Sequence, residues 1–347
     1  MKNHKLFCIF LFLLLFPIGL YADENTKNEI NAMDIIAEHT GDAYECHFFT
    51  WGKKHISIPL PIILYSKHTG FHCFLSNKVF HGATYEGFSI APAPSKYEGK
   101  IVEHLNDGEI VRPIDLSITK NVVGLWASCI VICWIVLLLA KRCREGEDYL
   151  PSKGFLGIID GLISMVYNDI IKPSVGEKYR HFAPYLLTAF LFVFFNNILG
   201  LIPILPFGCN ITGNISITIV LALFTFFITN IFGTKHYWRD ILWGDVPVWM
   251  KCPVPLMPVI EFFGIFTKPF ALAIRLFANI TAGHTITVGL IALIFIVAQM
   301  GVMIGTSMTF VVVLMSVFMN FLELLVAYIQ AYVFTMLSAV YIGLAQE

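Results

Sequence analysis

The chain reads as an all-α polytopic membrane protein of about five transmembrane helices, preceded by a small extracytoplasmic domain with β content. Three observations predict this. Hydrophobic residues make up 57% of the 347 positions and charged residues only 14%, against about 25% charged in soluble domains. The run VVGLWASCIVICWIVLLLA, residues 122–140, carries no charge over 19 residues, enough to cross a hydrocarbon core of ~30 Å. From Phe270 to Gln346 there is no proline, and Arg275 and Glu323 are the only formal charges. The net charge of −1 offers no basic face for a nucleic acid.

In chain order, the first 22 residues form a signal-peptide pattern. Lys2 and Lys5 precede an apolar run to about Leu20, and Ala22 stands before Asp23. Cleavage there would export the segment 23–118. That segment mixes strand-like runs such as HISIPLPIILYS and FHCFLS with the Pro-broken APAPS. It holds seven of the eleven histidines, and its two cysteines, Cys46 and Cys73, are candidates for a single disulfide. Cys46-His47 and His72-Cys73 lack the spacing of a zinc motif, so no metal site is expected.

Residues 119–347 form the membrane domain, with spans at about 122–140, 183–205, 215–233, 259–298 and 302–345. KRCR directly follows the first span, and Lys235, Arg239 and Lys251 lie in the loop after the third, whereas the turn at 206–213 has no cation. Under the positive-inside rule this puts the N-terminal domain outside and the C-terminus in the cytoplasm, in a bacterial inner membrane. Between the first two spans, GFLGIIDGLISMVYNDIIK has apolar residues at helical spacing beside Asp160 and Asp169, which predicts an amphipathic helix on the membrane surface. The arms Phe270–Ala298 and Val302–Ala345, broken by QMGVMIGTS, would be roughly 44 Å and 66 Å long as helices. Both exceed the core, so a long tilted hairpin is expected. The sequons at Asn210, Asn214 and Asn279 read as chance, the last lying in an apolar arm.

An arginine inside the membrane costs about 2.5–3.5 kcal/mol on insertion scales and marks a functional site or a paired charge. One reading is a structural pair of Arg275 with Glu323. Spacing suggests more. Glu261, Lys268 and Arg275 are seven apart and share a stripe if the helix runs through Pro269, with Asn279 one turn on. His284, nine residues from Arg275, points to the opposite side, and Glu323 and Gln330 share a face of the second arm. Histidine and glutamate exchange protons once their surroundings tune them, whereas arginine keeps its proton. A route through His284 and Glu323, interrupted at Arg275, would carry protons to a point and stop them.

KPFALAIRLFANITAGH, LELLVAYIQAYVFTML, KYRHFAPYLLTAFLFVFFNNILGLIP and TGNISITIVLAL resemble subunit a of the rotary F-type ATP synthases over about 150–345. The resemblance implies a stator subunit in which Arg275 meets carboxylates on a rotating ring of c subunits. Gln330 and Asn279 would stand beside it, His284 and Glu323 would line the extracytoplasmic half-channel, and Glu261 would belong to the cytoplasmic exit. Some members exchange the acid and the imidazole between the latter two positions; here the order is His, then Glu. Implied partners are the c-ring, the peripheral-stalk b subunits and the remaining synthase subunits, together with lipid and translocated protons. No cofactor is implied, and no P-loop GxxxxGK[ST] is present, so no nucleotide site is expected in this chain. The competing class is a stand-alone proton-coupled transporter, which would call for an internal repeat with broken spans. An intramembrane enzyme would call for a nucleophile or metal-ligand set.

Overall fold

A computed structural model describes residues 42–51, 54–80, 83–91, 95, 97, 99–105, 110–145, 154–201, 211–243, 256–298 and 302–346. The signal-like segment 1–22, Asn210 and the loop around Lys251 lie outside these residues.

The described residues open with β structure. A hairpin of β1 (Glu45–Trp51) and β2 (Lys54–Pro59) leads into β3 (Pro61–Ser66) and β4 (Gly70–Leu75), followed by β5 (Phe88–Ile90), β6 (Ile101–His104), β7 (Ile110–Val111) and β8 (Ile114–Asp115). Two three-stranded sheets result, ordered β4-β3-β8 and β5-β6-β7, with every pairing antiparallel. Period-two alternation drives Ile62 and Leu64 of β3 inward against Phe74, Phe88 and Ile101, a core separate from that of the helices. Buried Glu103 ties the sheets together by accepting hydrogen bonds from Ser66 Oγ and, at 2.9 Å, from Thr69 Oγ1. The tight turn at Tyr85–Phe88 needs positive φ at both central residues, met by Glu86 (52°) and Gly87 (83°). Cys73 is an exposed free thiol; the side chain of Cys46, its candidate disulfide partner, lies outside those described. His72 pairs with Glu86 at 2.7 Å and stacks edge-on against Phe88.

Helices follow: α1 (Lys120–Glu145), α2 (Phe155–Met165), α3 (Tyr179–Leu201), α4 (Ile215–Ile231), α5 (Lys235–Trp243), α6 (Leu256–Ala298) and α7 (Val302–Gln346). Four stretches are long and apolar enough to cross a membrane: Lys120–Arg142, Phe155–Leu201, Ile260–Ile294 and Met308–Gln346; α4 is a shorter apolar helix. Between α2 and α3 the helix widens to π geometry over Val166–Ile171 and passes through a short turn, Lys172–Val175. Ile159, Val166 and Ile170 turn inward while Ser164, Asn168 and Asp169 are exposed, the one-sided pattern read from the sequence.

The helical core buries Phe190 and Phe334, but several of its seams are lined by small residues while many large ones face out. Ala189, Ala222, Ala273, Ala327, Ala331 and Ala339 are buried, while Trp134, Phe224, Phe310, Phe318 and Phe321 point outward. Small residues at the seams let helix backbones approach, and large apolar ones meet lipid. Asn214 is no glycosylation site in form: it caps α4, its side chain accepting from Ser216 N at 3.0 Å.

The hairpin of α6 and α7 dominates. Helix α6 starts at Leu256 and runs through Pro269 for 43 residues; α7 has 45. At 1.5 Å per residue each is about 65 Å or more, over twice the ~30 Å core, so both cross it obliquely. A proline is tolerated because neighbouring helices can re-satisfy the carbonyl it frees. The break lies between Ala298 and Val302, narrower than QMGVMIGTS suggested.

Candidate functional site: the polar seam of the helical hairpin

Three contacts set the register of α6 on α7. Lys268 Nζ lies 5.8 Å from the Tyr341 ring centroid. Eleven residues further along each helix, Asn279 donates an amide N–H to Gln330 Oε1 at 3.1 Å. Beyond that, Thr287 Oγ1 donates to Glu323 Oε2 at 3.4 Å. The polar residues therefore form a ladder along one antiparallel seam, and Gln330 (4% exposed) and Glu323 (7%) are its buried rungs.

Arg275 lies between Lys268 and Asn279 on the same stripe of α6, and no rung of the ladder covers it. It is exposed, as are Ala271, Ala278, Asn279 and Ala282, which share its side of α6, whereas Leu272, Ala273 and Leu276 pack into the bundle. One helical face thus offers a guanidinium framed by methyl groups, a surface that another helix can approach closely. Glu323 packs against Gly283 and Thr287, eight and twelve residues from Arg275, about 12–18 Å along the axis. That separation rules out the structural Arg275–Glu323 pair considered from the sequence.

Glu323 sits where α6 is thinnest. A Cβ added to Gly283 would lie 2.7 Å from Glu323 Oε1 and 3.2 Å from Cγ, so the glycine leaves room for the carboxyl group in this position. His284 follows Gly283 directly on α6; its side chain lies outside those described. Neither Gly283 nor Thr287 was singled out in the sequence. A glycine in an otherwise strongly helical apolar arm was the available signal, because it costs ~1 kcal/mol against alanine and needs a packing reason.

The other end of the stripe is also polar. Glu261 and Lys268 are half-buried, and Glu261 is close enough to Tyr237 of α5 that its charge, second to burial, raises that phenol above its ordinary ionisation range. A cavity of about 20 Å³ lies between α4, α5, α6 and α7, bordered by Thr229, Asn230, Tyr237, Lys268 and Tyr341. That is room for about one water. Asn230 Oδ1 is buried there with no hydrogen-bond partner among the described residues, and Pro269, also on the wall, cannot donate to the Ile265 carbonyl.

The remaining helices brace the hairpin through polar contacts in the seams. Asn197 donates to the Ala327 carbonyl at 3.3 Å, and Thr225 of α4 lies 2.7 Å from Tyr185 OH and 3.3 Å from Ser338 Oγ. At the end of α7, Thr234 N bonds the Ala345 carbonyl at 2.9 Å, and Lys178 Nζ reaches Gln346 Oε1 at 3.0 Å. Among the described residues no group of three or more His, Cys, Asp or Glu is gathered for a metal.

Comparison with known proteins agrees with this architecture. A family model described as ATP synthase A chain matches residues 122–343, and one described as a domain of unknown function matches 35–118. ATP synthase subunit a of Chlorobium phaeobacteroides is 40% identical over 249 residues, covering 69% of each chain. ATP synthase subunit a 2 of Chlorobaculum tepidum is 41% identical over 241 residues, covering 68% of this chain and 65% of its own. A subunit a from Anaeromyxobacter is 38% identical over 256 residues, 71% of this chain and 58% of that one. With the match spanning the whole helical bundle, from α1 to the end of the polar hairpin, the chain belongs to the ATP synthase subunit a family.

Proposed function

We propose that Arg275 is the fixed stator charge that exchanges with carboxylates on a rotating c-ring, between two proton half-channels built on α6 and α7. As a member of its family the chain is a multi-pass, proton-translocating stator subunit of the membrane sector, working in a complex with other synthase subunits. Family membership also disfavours the stand-alone transporter. The single observation that carries the proposal is the exposure of Arg275 on a face of small residues, away from buried Glu323.

In this reading a proton enters from the extracytoplasmic side through His284 and Glu323 and neutralises a ring carboxylate, which then moves into lipid at lower cost. After nearly a full turn the site meets the exit side, marked by Glu261, Lys268 and the small polar cavity. There it loses its proton and is drawn to Arg275. Asn279 and Gln330 hold the hairpin closed beside the guanidinium. Arginine does not release its proton, so it also blocks passage between the half-channels. One charge crossing 100 mV supplies about 2.3 kcal/mol. The exported N-terminal domain, cytoplasmic C-terminus, peripheral-stalk b subunits and bacterial inner membrane belong to the same proposal, as does the division into signal segment 1–22, domain 23–118 and membrane domain 119–347.

The partner is tested by proximity. A cysteine at Ala278 in the assembled synthase should form a disulfide with one placed beside the ring carboxylate, and a cysteine at buried Ala189 should not. Equal failure at Ala271, Ala278 and Ala282 would refute the assignment of this face to the ring.

A further inference from the structure

The N-terminal β domain carries an apolar face that stays exposed among the described residues. In the β4-β3-β8 sheet, alternate residues point away from the core: Ile63 and Tyr65 on β3, Phe71 and Leu75 on β4, Ile114 on β8 and Leu116 just after it. All but Ile63 are 48–67% exposed. The register makes them neighbours, with Tyr65 opposite both Phe71 and Ile114, and Ile63 opposite Cys73. No charged residue on these strands interrupts the patch. Exposed Lys67 and Arg112 stand at its end, one just beyond β3 and the other two residues before β8. An apolar patch running across three strands marks a surface that meets something other than water.

Its position says what that is. Leu116 is four residues from Lys120, where α1 enters the membrane, a reach of at most about 14 Å. There is no slack in between. Leu116 N bonds the Ile63 carbonyl at 2.9 Å, Ile118 N the Pro61 carbonyl at 3.1 Å, and Lys120 N the Ala43 carbonyl at 2.9 Å. The apolar stretch Lys120–Arg142 has 23 residues, roughly 35 Å as a helix. It fills the ~30 Å core and leaves Lys120 only a few ångströms from the hydrocarbon boundary, within the headgroup layer. The domain is thus held against the bilayer by the first turn of its own membrane helix, and lipid is within reach whatever else the complex contains.

We infer that this apolar sheet face rests on the leaflet from which α1 enters. Tyr65, Phe71, Leu75, Ile114 and Leu116 lie at the headgroup–acyl boundary, and Lys67 and Arg112 meet anionic headgroups. The aromatic and aliphatic side chains supply buried area, and the two cations favour acidic lipid. The inference does not depend on the role of Arg275, and it holds on either side of the membrane.

The test uses the full chain in nanodiscs, with its native cysteines changed to serine and one cysteine placed at Phe71, Ile114 or Lys100 to carry an environment-sensitive fluorophore. Brominated lipids should quench the labels at 71 and 114 at least twofold and leave the label at half-buried Lys100, which precedes β6 of the other sheet, unaffected. The double variant Lys67→Glu, Arg112→Glu should lower quenching in acidic bilayers but not in neutral ones. Labels at 71 and 114 that iodide reaches freely and brominated lipid does not quench would overturn the inference. So would labels that become shielded from iodide only in the assembled synthase, with no lipid quenching, since the face would then belong to a protein partner. Matched circular dichroism and melting of all variants separate either outcome from misfolding.

Discussion

Asn279 Nδ2 donates to Gln330 Oε1 at 3.1 Å, joining the two longest helices one turn from Arg275. Gln330 is buried on α7, while Asn279 shares the exposed side of α6 with the arginine. The bond couples the guanidinium-bearing face to the interior of the bundle. A neutral bond of this kind contributes about 0.5–1.5 kcal/mol, too little for the hairpin to depend on it. Replacing Gln330 by Leu should therefore leave assembly nearly intact and lower ATP-driven pumping. Gln330→Glu, which keeps an acceptor for Asn279, should retain more of it. Pumping in inverted vesicles, normalised to assembled complex, decides between them.

Gly283 makes room for the Glu323 carboxyl group. In Gly283→Ala the added methyl falls 2.7 Å from Oε1, and the flexible glutamate moves rather than the backbone. Proton uptake should slow several-fold with little change in melting temperature. Glu323→Asp, one methylene shorter, should recover part of the rate in the double variant. A double variant slower than either single change would show that the two positions do not act through this contact.

A second glycine has a different role. At Gly343 an added Cβ would collide with the backbone carbonyl of Ser174 in the turn Lys172–Val175, where no side chain can yield. Gly343→Ala should destabilise the bundle by about 1–3 kcal/mol, the usual cost of overpacking. Thermal unfolding in detergent checks this, and an unchanged midpoint would mean that the close approach is not retained in the membrane.

Asn230→Leu separates stability from transport. It removes a buried acceptor that has no partner among the described residues and fills the water-sized cavity beside Lys268. The substitution also removes the Nδ2–H bond to the Phe226 carbonyl at 2.7 Å, about 0.5–1.5 kcal/mol, which offsets the gain from removing the orphaned acceptor. The variant should melt close to the parent and release protons through the proposed exit more slowly, visible as reduced pumping.

In the β domain the His72 hydrogen bond, above all else, lowers the Glu86 ionisation below 4.5. A carboxylate with a depressed folded value stabilises the fold above its unfolded value, and that contribution disappears as pH falls through the folded one. An NMR titration of Glu86 should give a midpoint under 4.5 that returns toward it in His72→Ala.

Much of this was legible in the sequence because lipid restricts the choices. Apolar, proline-free arms can only be helices, and in them Arg275, Asn279, Glu323 and Gln330 stand out against a background that has no reason to hold them. What the pattern did not convey was register. Spacing put Glu323 and Gln330 on one face, but only the packed hairpin shows that Glu323 meets Gly283 and Thr287, about 12–18 Å from Arg275. The stripe of Glu261, Lys268 and Arg275 was conditional on the helix passing Pro269, since proline removes a helical bond, and α6 does run through it. The π turn at Val166–Ile171 and the cap at Asn214 depend on local hydrogen bonding that composition does not encode. In the β domain the alternation of Ile62 and Leu64 was readable, but the outward row through Tyr65 and Phe71 appears only once three strands are paired.

The central claim is that Arg275 joins rotation to proton flow, and the most direct measurement compares wild type with Arg275→Ala in vesicles. ATP-driven pumping and passive proton conductance are recorded separately, with complex content matched. The account predicts that pumping is lost and that passive conductance rises, because the cation that separates the half-channels is gone. Pumping at the wild-type rate, with no added leak, would contradict it.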